Sequence, residues 1–321
     1  MKYKITHTTQ YHYSQAVGLC QNEARLQPRN FERQHCDSSH FDITPTPSDF
    51  RERLDFFGNR VAYFAIQQPH THLSLTVISE VTLFPKQQQL GLFDQMSWEQ
   101  VRDLLQVATP LMQAQAQSQQ GQSQVQVQVQ VQVQHQDHAP DFFDAQQYLL
   151  DSPMVASSPE LADYARSSFQ PNRPLQEVVH DLMTRIYKDF TYDPNFTTIA
   201  TPLSDVLHFR RGVCQDFAHL AIACLRTYGI AARYVSGYVE TLPEPGKQRL
   251  VGADASHAWF SVYSPRIGWL DFDPTNNTVP LDQHITLAWG RDYADVTPLK
   301  GIAFGGGQHT LSVSVDVLRL E

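Results

Sequence analysis

The chain has 321 residues, of which 41% are hydrophobic and 11% aromatic, enough to form the cores of two domains. Its 33 acidic and 24 basic residues give a formal net charge of -9, with no long run of Lys or Arg. This charge balance argues against nucleic acid or an anionic membrane surface as the main partner.

The first residues, MKYKITHTTQYHYSQ, lack the apolar core of a signal peptide, and no stretch reaches the ~18 apolar residues that span a bilayer. We therefore expect a cytoplasmic protein without a membrane partner. The cysteines share no CxxC spacing, so the sequence predicts free thiols rather than a zinc site or a disulfide framework. They are Cys20, Cys36, Cys214 and Cys224.

Residues 1–85 alternate polar and apolar positions in short runs, as in RLDFFGNRVAYFAIQ, where FGN is typical of a hairpin turn. This pattern predicts a β-rich N-terminal domain, an all-β sandwich. His70 and His72 form an HTH motif in it, but no third ligand follows at a useful spacing. A solvated strand face is therefore favoured over a metal site.

Residues 86–157 are predicted to be a helical linker with a low-complexity insertion. SWEQVRDLLQVA places Ser97 and Gln100 at capping-box spacing before apolar residues at helical intervals. From about residue 113 to 136 the chain is rich in Gln and then alternates Val and Gln strictly, which predicts a solvated insertion. A self-association segment or a glutamine-rich substrate is the less favoured interpretation.

Three helical segments are predicted before the motif RGVCQDFAH. ASSPELADYARSSF begins with a Ser/Pro start signal, and SDVLHFR has Ser204 as its candidate N-cap and ends at Arg211 and Gly212. Gly212 would let the chain turn sharply. PLQEVVHDLMTRIYKDFTYDP carries one apolar stripe, made of Leu175, Val178, Val179, Leu182, Ile186 and Phe190.

Apolar residues then recur at helical spacing from Cys214 to Tyr228, and Gly229 is placed to end this helix. Cys214 should lie in the first turn, where the helix dipole and unpaired backbone N–H groups favour a thiolate. The alternative for any single cysteine is a small core side chain. Asp216 in the same turn is most simply a partner of the helix dipole.

Three strand-like runs follow, IAARYVSGYVE, SHAWFSVYS and GWLDFDPT, and the turn PRI should join the last two in a hairpin. An odd number of unpaired turn residues would place His257 and Asp273 on the same face, opposite or diagonal, and an even number would separate them. His257 could then take the proton of Cys214 while Asp273 orients the imidazole. The backbone N–H of Cys214 is one oxyanion donor, and the sequence identifies no second.

GVCQDFAHLAIACLRTYGIAARYVSGYVE, HAWFSVYSPRIGWLDFDPTNN and GRDYADVTPLKGIAFGG together resemble the bacterial transglutaminase-like superfamily. The opening THTTQYHYSQAVGLCQNEARLQPR is similar to the β-rich N-terminal region of bacterial members, so the resemblance covers all but about residues 86–157. It implies an α+β chain whose residues 158–321 form a papain-like catalytic domain with a C-terminal strand. In that domain a Cys helix packs on an antiparallel sheet.

The family's Cys, His, Asp triad falls on Cys214 as nucleophile, His257 as general base and acid, and Asp273 as the residue that orients the histidine. The resemblance implies no metal and no organic cofactor. It also suggests residues that border the substrate cleft. For the adjacent Arg and Asp in GRDY, structural hydrogen bonds are an equally good interpretation. For the aromatic residue in FTYDP, a position in the core is the alternative. The suggested cleft residues are Tyr192, Gln215, Trp259, Arg291, Asp292 and Tyr293.

The predicted function is thiol acyl transfer on the amide bonds of peptides or proteins, with hydrolysis favoured over cross-linking. A cytoplasmic cross-linker would need an activation device, and the sequence contains no calcium loop of the D-x-[DN]-x-[DN]-G kind. Two alternatives stay open: a protein-glutamine cross-linking transglutaminase and a non-catalytic binding or assembly module. Nothing in the sequence predicts the oligomeric state.

Overall fold

The computed structural model describes residues 1–84, 95–106, 139–240 and 256–320. The insertion predicted at about 113–136 lies outside them. The described residues divide into two compact units, of which the first contains 1–84, 234–240, 256–258 and 279–320, and the second 95–106, 139–233 and 259–278. The predicted division into domains by chain order stays a prediction.

The α+β class is confirmed by the secondary structure. The helices are α1 (98–106), α2 (Ala139–Gln146), a 3-10 turn (Gln147–Leu149), α3 (Pro159–Ala165), α4 (Leu175–Asp189), α5 (Leu203–Phe209), α6 (Cys214–Thr227) and α7 (Tyr293–Val296). The strands are β1 (Lys2–Ala24), β2 (Gln34–Thr44), β3 (Asp49–Leu54), β4 (Arg60–Ile66), β5 (His70–Leu83), β6 (Thr191–Tyr192), β7 (Arg211–Gly212), β8 (Ala232–Val239), β9 (Ser256–Ser264), β10 (Gly268–Phe272), β11 (His284–Gly290), β12 (Leu299–Gly305) and β13 (His309–Arg319).

The first unit is built on strand β1. Its first half pairs with β5 and β13, and its second half pairs with β4 and β12, all antiparallel. With β2 beside β5 and β3 beside β4, these strands form one seven-stranded half-barrel sheet where the sequence predicted a sandwich. The predicted C-terminal strand is confirmed as β13, and it pairs with the first strand of the chain.

The hairpin turn predicted at FGN is confirmed between β3 and β4. The carboxylate of Asp55 accepts the backbone N–H groups of Phe57 at 3.0 Å and Asn59 at 2.9 Å, which closes the turn. Gly58 has a φ of 72°, in the left-handed region that favours glycine.

The prediction that His70 and His72 share a solvated face is wrong for His70. This residue is 7% exposed, and its Nε2 lies 3.8 Å from the Sγ of Cys20. The pairing of β1 with β5 is irregular between the partners of these two histidines. The side-chain alternation therefore shifts at this point, and His70 turns inward.

Helix α6 is the central helix of the second unit. Every residue from 216 to 226 is buried, because α3, α4 and α5 all pack against it. The single apolar stripe predicted for this helix is therefore too narrow.

The capping box is confirmed at the start of α1, where Ser97 and Gln100 exchange side-chain to backbone hydrogen bonds of 3.0 and 3.4 Å.

The predicted ends of helix α5 are both wrong. Its N-cap is Pro202, and Ser204 lies inside the helix. At the other end, Arg210 rather than Gly212 makes the turn, with a left-handed φ of 56°. Its guanidinium lies over the rings of Tyr164 and Phe190, at 4.6 and 4.8 Å from their centroids. These cation–π contacts help to offset the strained backbone.

A four-stranded sheet has the order β10, β9, β8, β11, and its two outer pairs, β10 with β9 and β8 with β11, are antiparallel. The first three strands confirm the predicted runs, whereas β11 was not predicted. Among the helices in the described part of the chain, none combines the length and the apolar character that crossing a bilayer requires.

The core of the first unit contains a neutral histidine, His7, which is 3% exposed. Its Nε2 lies 3.0 Å from the hydroxyl of Thr9 and its Nδ1 lies 2.8 Å from the hydroxyl of Tyr238. Burial lowers the pKa of His7 to about 4. Protonation of this ring therefore favours the unfolded chain.

We expect the free energy of unfolding to fall as the pH is lowered from about 6.5 to about 4. In this range the unfolded chain binds a proton that folded His7 excludes, which costs roughly 3 kcal/mol when complete. His7→Gln should lose less stability than the wild type between pH 7 and pH 4.5, measured by urea denaturation. The exposed His35 provides the control variant His35→Gln, which should behave like the wild type; equal losses in all three proteins would contradict the prediction.

Candidate active site

Cys214 is the first residue of helix α6, as predicted, and it is partly exposed. The first backbone N–H groups of a helix have no acceptor inside it. All four cysteines are free, which confirms the prediction, and the other three are buried. Burial raises the pKa of Cys224 to about 12 and also raises the pKa of Cys20 and Cys36. Cys214 is therefore the thiol best placed to react with a substrate.

The carboxylate of Asp216 holds the start of α6. Its Oδ2 accepts the backbone N–H of Val213 at 2.9 Å and the hydroxyl of Thr197 at 2.8 Å, and the side chain is buried. Desolvation raises the pKa of Asp216, while the two hydrogen bonds lower it. Asp216 is thus more than a partner of the helix dipole, because it also ties the loop that contains Thr197 to the helix.

Gly212 allows the Asp216 carboxylate to come close because glycine has no side chain. A Cβ at this position would lie 2.9 Å from both the Cβ and the Oδ2 of Asp216. Its φ is not in the left-handed region, and Arg210 makes the turn. The glycine before the cysteine is therefore explained by the close approach of a buried carboxylate rather than by a sharp bend.

Tyr192 lies beside the start of α6. It pairs with Gly212 across the short parallel ladder of β6 and β7, and its ring centroid is 6.4 Å from that of Phe217. Tyr192 is 54% exposed, so the alternative of a core aromatic residue is wrong. Gln215, the second residue of α6, is half-buried.

The turn between β9 and β10 has an odd number of unpaired residues, which is the condition for His257 and Asp273 to share a face. Ser264 pairs with Gly268, which leaves the three residues 265–267 unpaired. On one face, the hydroxyl of Ser261 donates to the carboxylate of Asp271. The same face carries the rings of Tyr263 and Trp269, 5.4 Å apart, while Trp259 is fully buried.

Asp273 directly follows β10 and is fully buried. Its Oδ1 accepts the backbone N–H groups of Thr275 and Asn276 at 2.9 and 3.2 Å, and its Oδ2 accepts the side-chain amide of Asn276 at 2.7 Å. The carboxylate therefore closes the turn that contains Pro274 and Thr275. These donors also hold the carboxylate in one orientation.

His257 is the second residue of β9 and is half-buried. Its ring centroid lies 6.1 Å from that of His284, the first residue of β11. Sequence reasoning missed His284, although the alternation in HITLAWG is a signal for the strand that positions it.

The GRDY segment forms local structural hydrogen bonds. Arg291 binds both carboxylate oxygens of Asp295, at 2.9 and 3.0 Å, and the buried Asp292 caps α7 by accepting the N–H of Ala294. Burial raises the pKa of Tyr293. A position of these residues at the cleft stays a prediction.

Two family descriptions match the chain: the bacterial transglutaminase-like N-terminal region over residues 3–82 and the transglutaminase-like superfamily over residues 162–274. An uncharacterized protein of Mycobacterium tuberculosis is 39% identical over 100% of this chain and 93% of its own length. A protein-glutamine gamma-glutamyltransferase of Pseudomonas aeruginosa is 29% identical over 39% of this chain and 20% of its own length.

A solved structure from Cytophaga hutchinsonii, described as a candidate cysteine protease, has the same fold. It superposes with a TM-score of 0.68 and 22% sequence identity, over 100% of this chain and 91% of that one. The likeness extends over both matched regions and over nearly the full length of the mycobacterial relative. The chain therefore belongs to the transglutaminase-like superfamily, and it joins that core to the bacterial transglutaminase-like N-terminal region.

Proposed function

We propose that the protein is a thiol hydrolase that cleaves amide bonds in peptides or proteins through a thioester on Cys214. The observation that carries this proposal is the contrast between its four thiols. Cys214 is partly exposed at a helix N-terminus, while the other three are buried with raised pKa values. A reactive thiol needs access and a stabilised thiolate, and this position supplies access together with a helix dipole.

In the proposed reaction, His257 takes the thiol proton and the Sγ of Cys214 attacks the carbonyl carbon of the amide. The tetrahedral intermediate collapses, the C–N bond breaks, and the leaving amine takes the proton from His257. Water then gives a proton to His257 and attacks the thioester. Collapse of this second intermediate releases the carboxylic acid product and restores the thiolate and the protonated histidine.

Asp273 is proposed to orient His257. In the register of the hairpin, Phe260 pairs with Phe272, so Asp273 continues the strand opposite Trp259. His257 lies two residues further along β9, and residues two apart on a strand share a face. The three-residue turn thus supports the predicted pairing of histidine and aspartate, and the buried, hydrogen-bonded carboxylate suits an orienting role.

Hydrolysis is favoured because solvent reaches the neighbourhood of the nucleophile. An amine can capture a thioester efficiently only where water is kept out. Cys214 is partly exposed, and Tyr192 beside it is 54% exposed. Amine transfer is the second candidate function, since part of the chain is similar to the P. aeruginosa gamma-glutamyltransferase.

We expect iodoacetamide to alkylate Cys214 first at pH 6.5, ahead of the three buried cysteines. In His257→Ala the rate at Cys214 should fall by at least about tenfold, because an unassisted thiol is only ~1% thiolate at this pH. Site-resolved mass spectrometry of alkylation against pH measures both rates.

His35→Ala, which changes an exposed histidine of β2, is the matched control and should label Cys214 at the wild-type rate. If Cys214 labels equally fast with and without His257, the proposed thiolate pair is wrong. A binding module without catalysis would then be favoured.

The choice between water and amine can be tested with casein as a glutamine-bearing protein and a fluorescent primary amine. We expect Cys214-dependent cleavage of peptide or isopeptide bonds, seen as new termini by mass spectrometry, and no incorporation of the amine. Cys214→Ala provides the background for both measurements.

Amine incorporation that disappears in Cys214→Ala would overturn the preference for hydrolysis and establish the second candidate. If casein is neither cleaved nor labelled although Cys214 is highly reactive towards iodoacetamide, casein should be replaced by a peptide library before the reaction class is reassigned.

A further inference from the structure

The acyl-transfer chemistry proposed above needs two hydrogen-bond donors for the oxyanion, and the helix supplies one of them. When a thiol attacks a carbonyl, negative charge develops on the carbonyl oxygen and must be stabilised. The backbone N–H of Cys214 occupies the first position of α6, where no helical acceptor exists. A second donor has to come from a group next to this first turn.

Tyr192 is attached to this turn by the backbone. The N–H of Thr191 donates to the carbonyl of Arg210 at 2.8 Å, and the N–H of Asp193 donates to the carbonyl of Gly212 at 2.8 Å. These two bonds flank Tyr192 and place it opposite Gly212, two residues before Cys214. Its position relative to the nucleophile is therefore set by main-chain geometry and not by a flexible loop.

The ring of Tyr192 also contacts the helix. It packs edge-to-face against Phe217, which is 3% exposed and lies one turn after Cys214. One side of the Tyr192 ring is therefore supported by the core, while 54% of the residue is open to solvent. The Tyr192 side chain is therefore both supported by the core and accessible to a substrate.

The electrostatics of Tyr192 suit a hydrogen-bond donor. Desolvation raises its pKa, and the negative charges of the Cys214 thiolate and Asp216 raise it further. The hydroxyl of Tyr192 therefore keeps its proton at neutral pH.

We propose that the hydroxyl of Tyr192 is the second oxyanion donor and binds the carbonyl oxygen together with the backbone N–H of Cys214. This inference rests on the proposed acyl-transfer function. Tyr192 donates a hydrogen bond and keeps its proton throughout the reaction, whereas His257 carries out the proton transfers. The competing donor is the side-chain amide of Gln215, which lies in the same turn.

The test compares two reactions of the same thiol in the full chain. Acylation by p-nitrophenyl acetate passes through an oxyanion and releases p-nitrophenolate, whereas alkylation by iodoacetamide displaces iodide at a CH₂ carbon and forms none. Tyr192→Phe should slow the Cys214-dependent acylation by at least about tenfold. It should leave alkylation of Cys214 within about twofold of the wild type, and thermal unfolding should show that the fold is retained.

Tyr187→Phe is the matched control, because Tyr187 is a comparably exposed tyrosine on α4, at 51%, and should leave both rates unchanged. Equal acylation by wild type and Tyr192→Phe would overturn the inference, as would a parallel loss of acylation and alkylation, which would mean that Tyr192 acts on the thiolate. A loss in Gln215→Ala without one in Tyr192→Phe would assign the role to Gln215. If the wild type is alkylated but never acylated, the proposed function itself fails.

Discussion

The position of Cys214, the proposed nucleophile, depends on one buried carboxylate, that of Asp216. Burying a carboxylate costs free energy unless donors replace its water, and here a backbone N–H and the hydroxyl of Thr197 do so. The same carboxylate excludes any side chain at residue 212. The helix start, strand β7 and the loop that contains Thr197 are thus held by a single group. Cys214 is consequently presented by a rigid element even though it lies at the surface.

Helix α6 combines a buried body with an accessible first residue. Residues 216–226 are buried on all sides, so the helix cannot move without disturbing its neighbours. Its first two residues, Cys214 and Gln215, are partly exposed. Cys224, ten residues later on the same helix, is fully buried and its pKa is raised to about 12. The two cysteines thus differ in access to solvent because of where the helix begins, not because of their own chemistry.

Features with a local cause could be predicted from the sequence. The capping box at Ser97, the helix end at Gly229 and the FGN turn each follow from a few neighbouring residues. Features that depend on residues far away in the sequence could not be predicted in this way. Gly212 is required by a carboxylate that only the folded helix brings close, and Arg210 adopts a left-handed conformation where two aromatic rings hold its guanidinium.

Strand pairings between distant stretches of the chain could not be predicted from the sequence either. The sequence predicts a terminal strand, but its alternation does not say that β13 pairs with β1 some 300 residues earlier. The ladder that places Tyr192 beside Gly212 has only two residues on each side, too short to produce any periodic signal. Sequence reasoning could therefore predict Cys214 as the nucleophile, because its own helix positions it, but it could not propose Tyr192 as an oxyanion donor. A group whose position depends on a short contact between separate stretches becomes visible only when the backbone pairing is known.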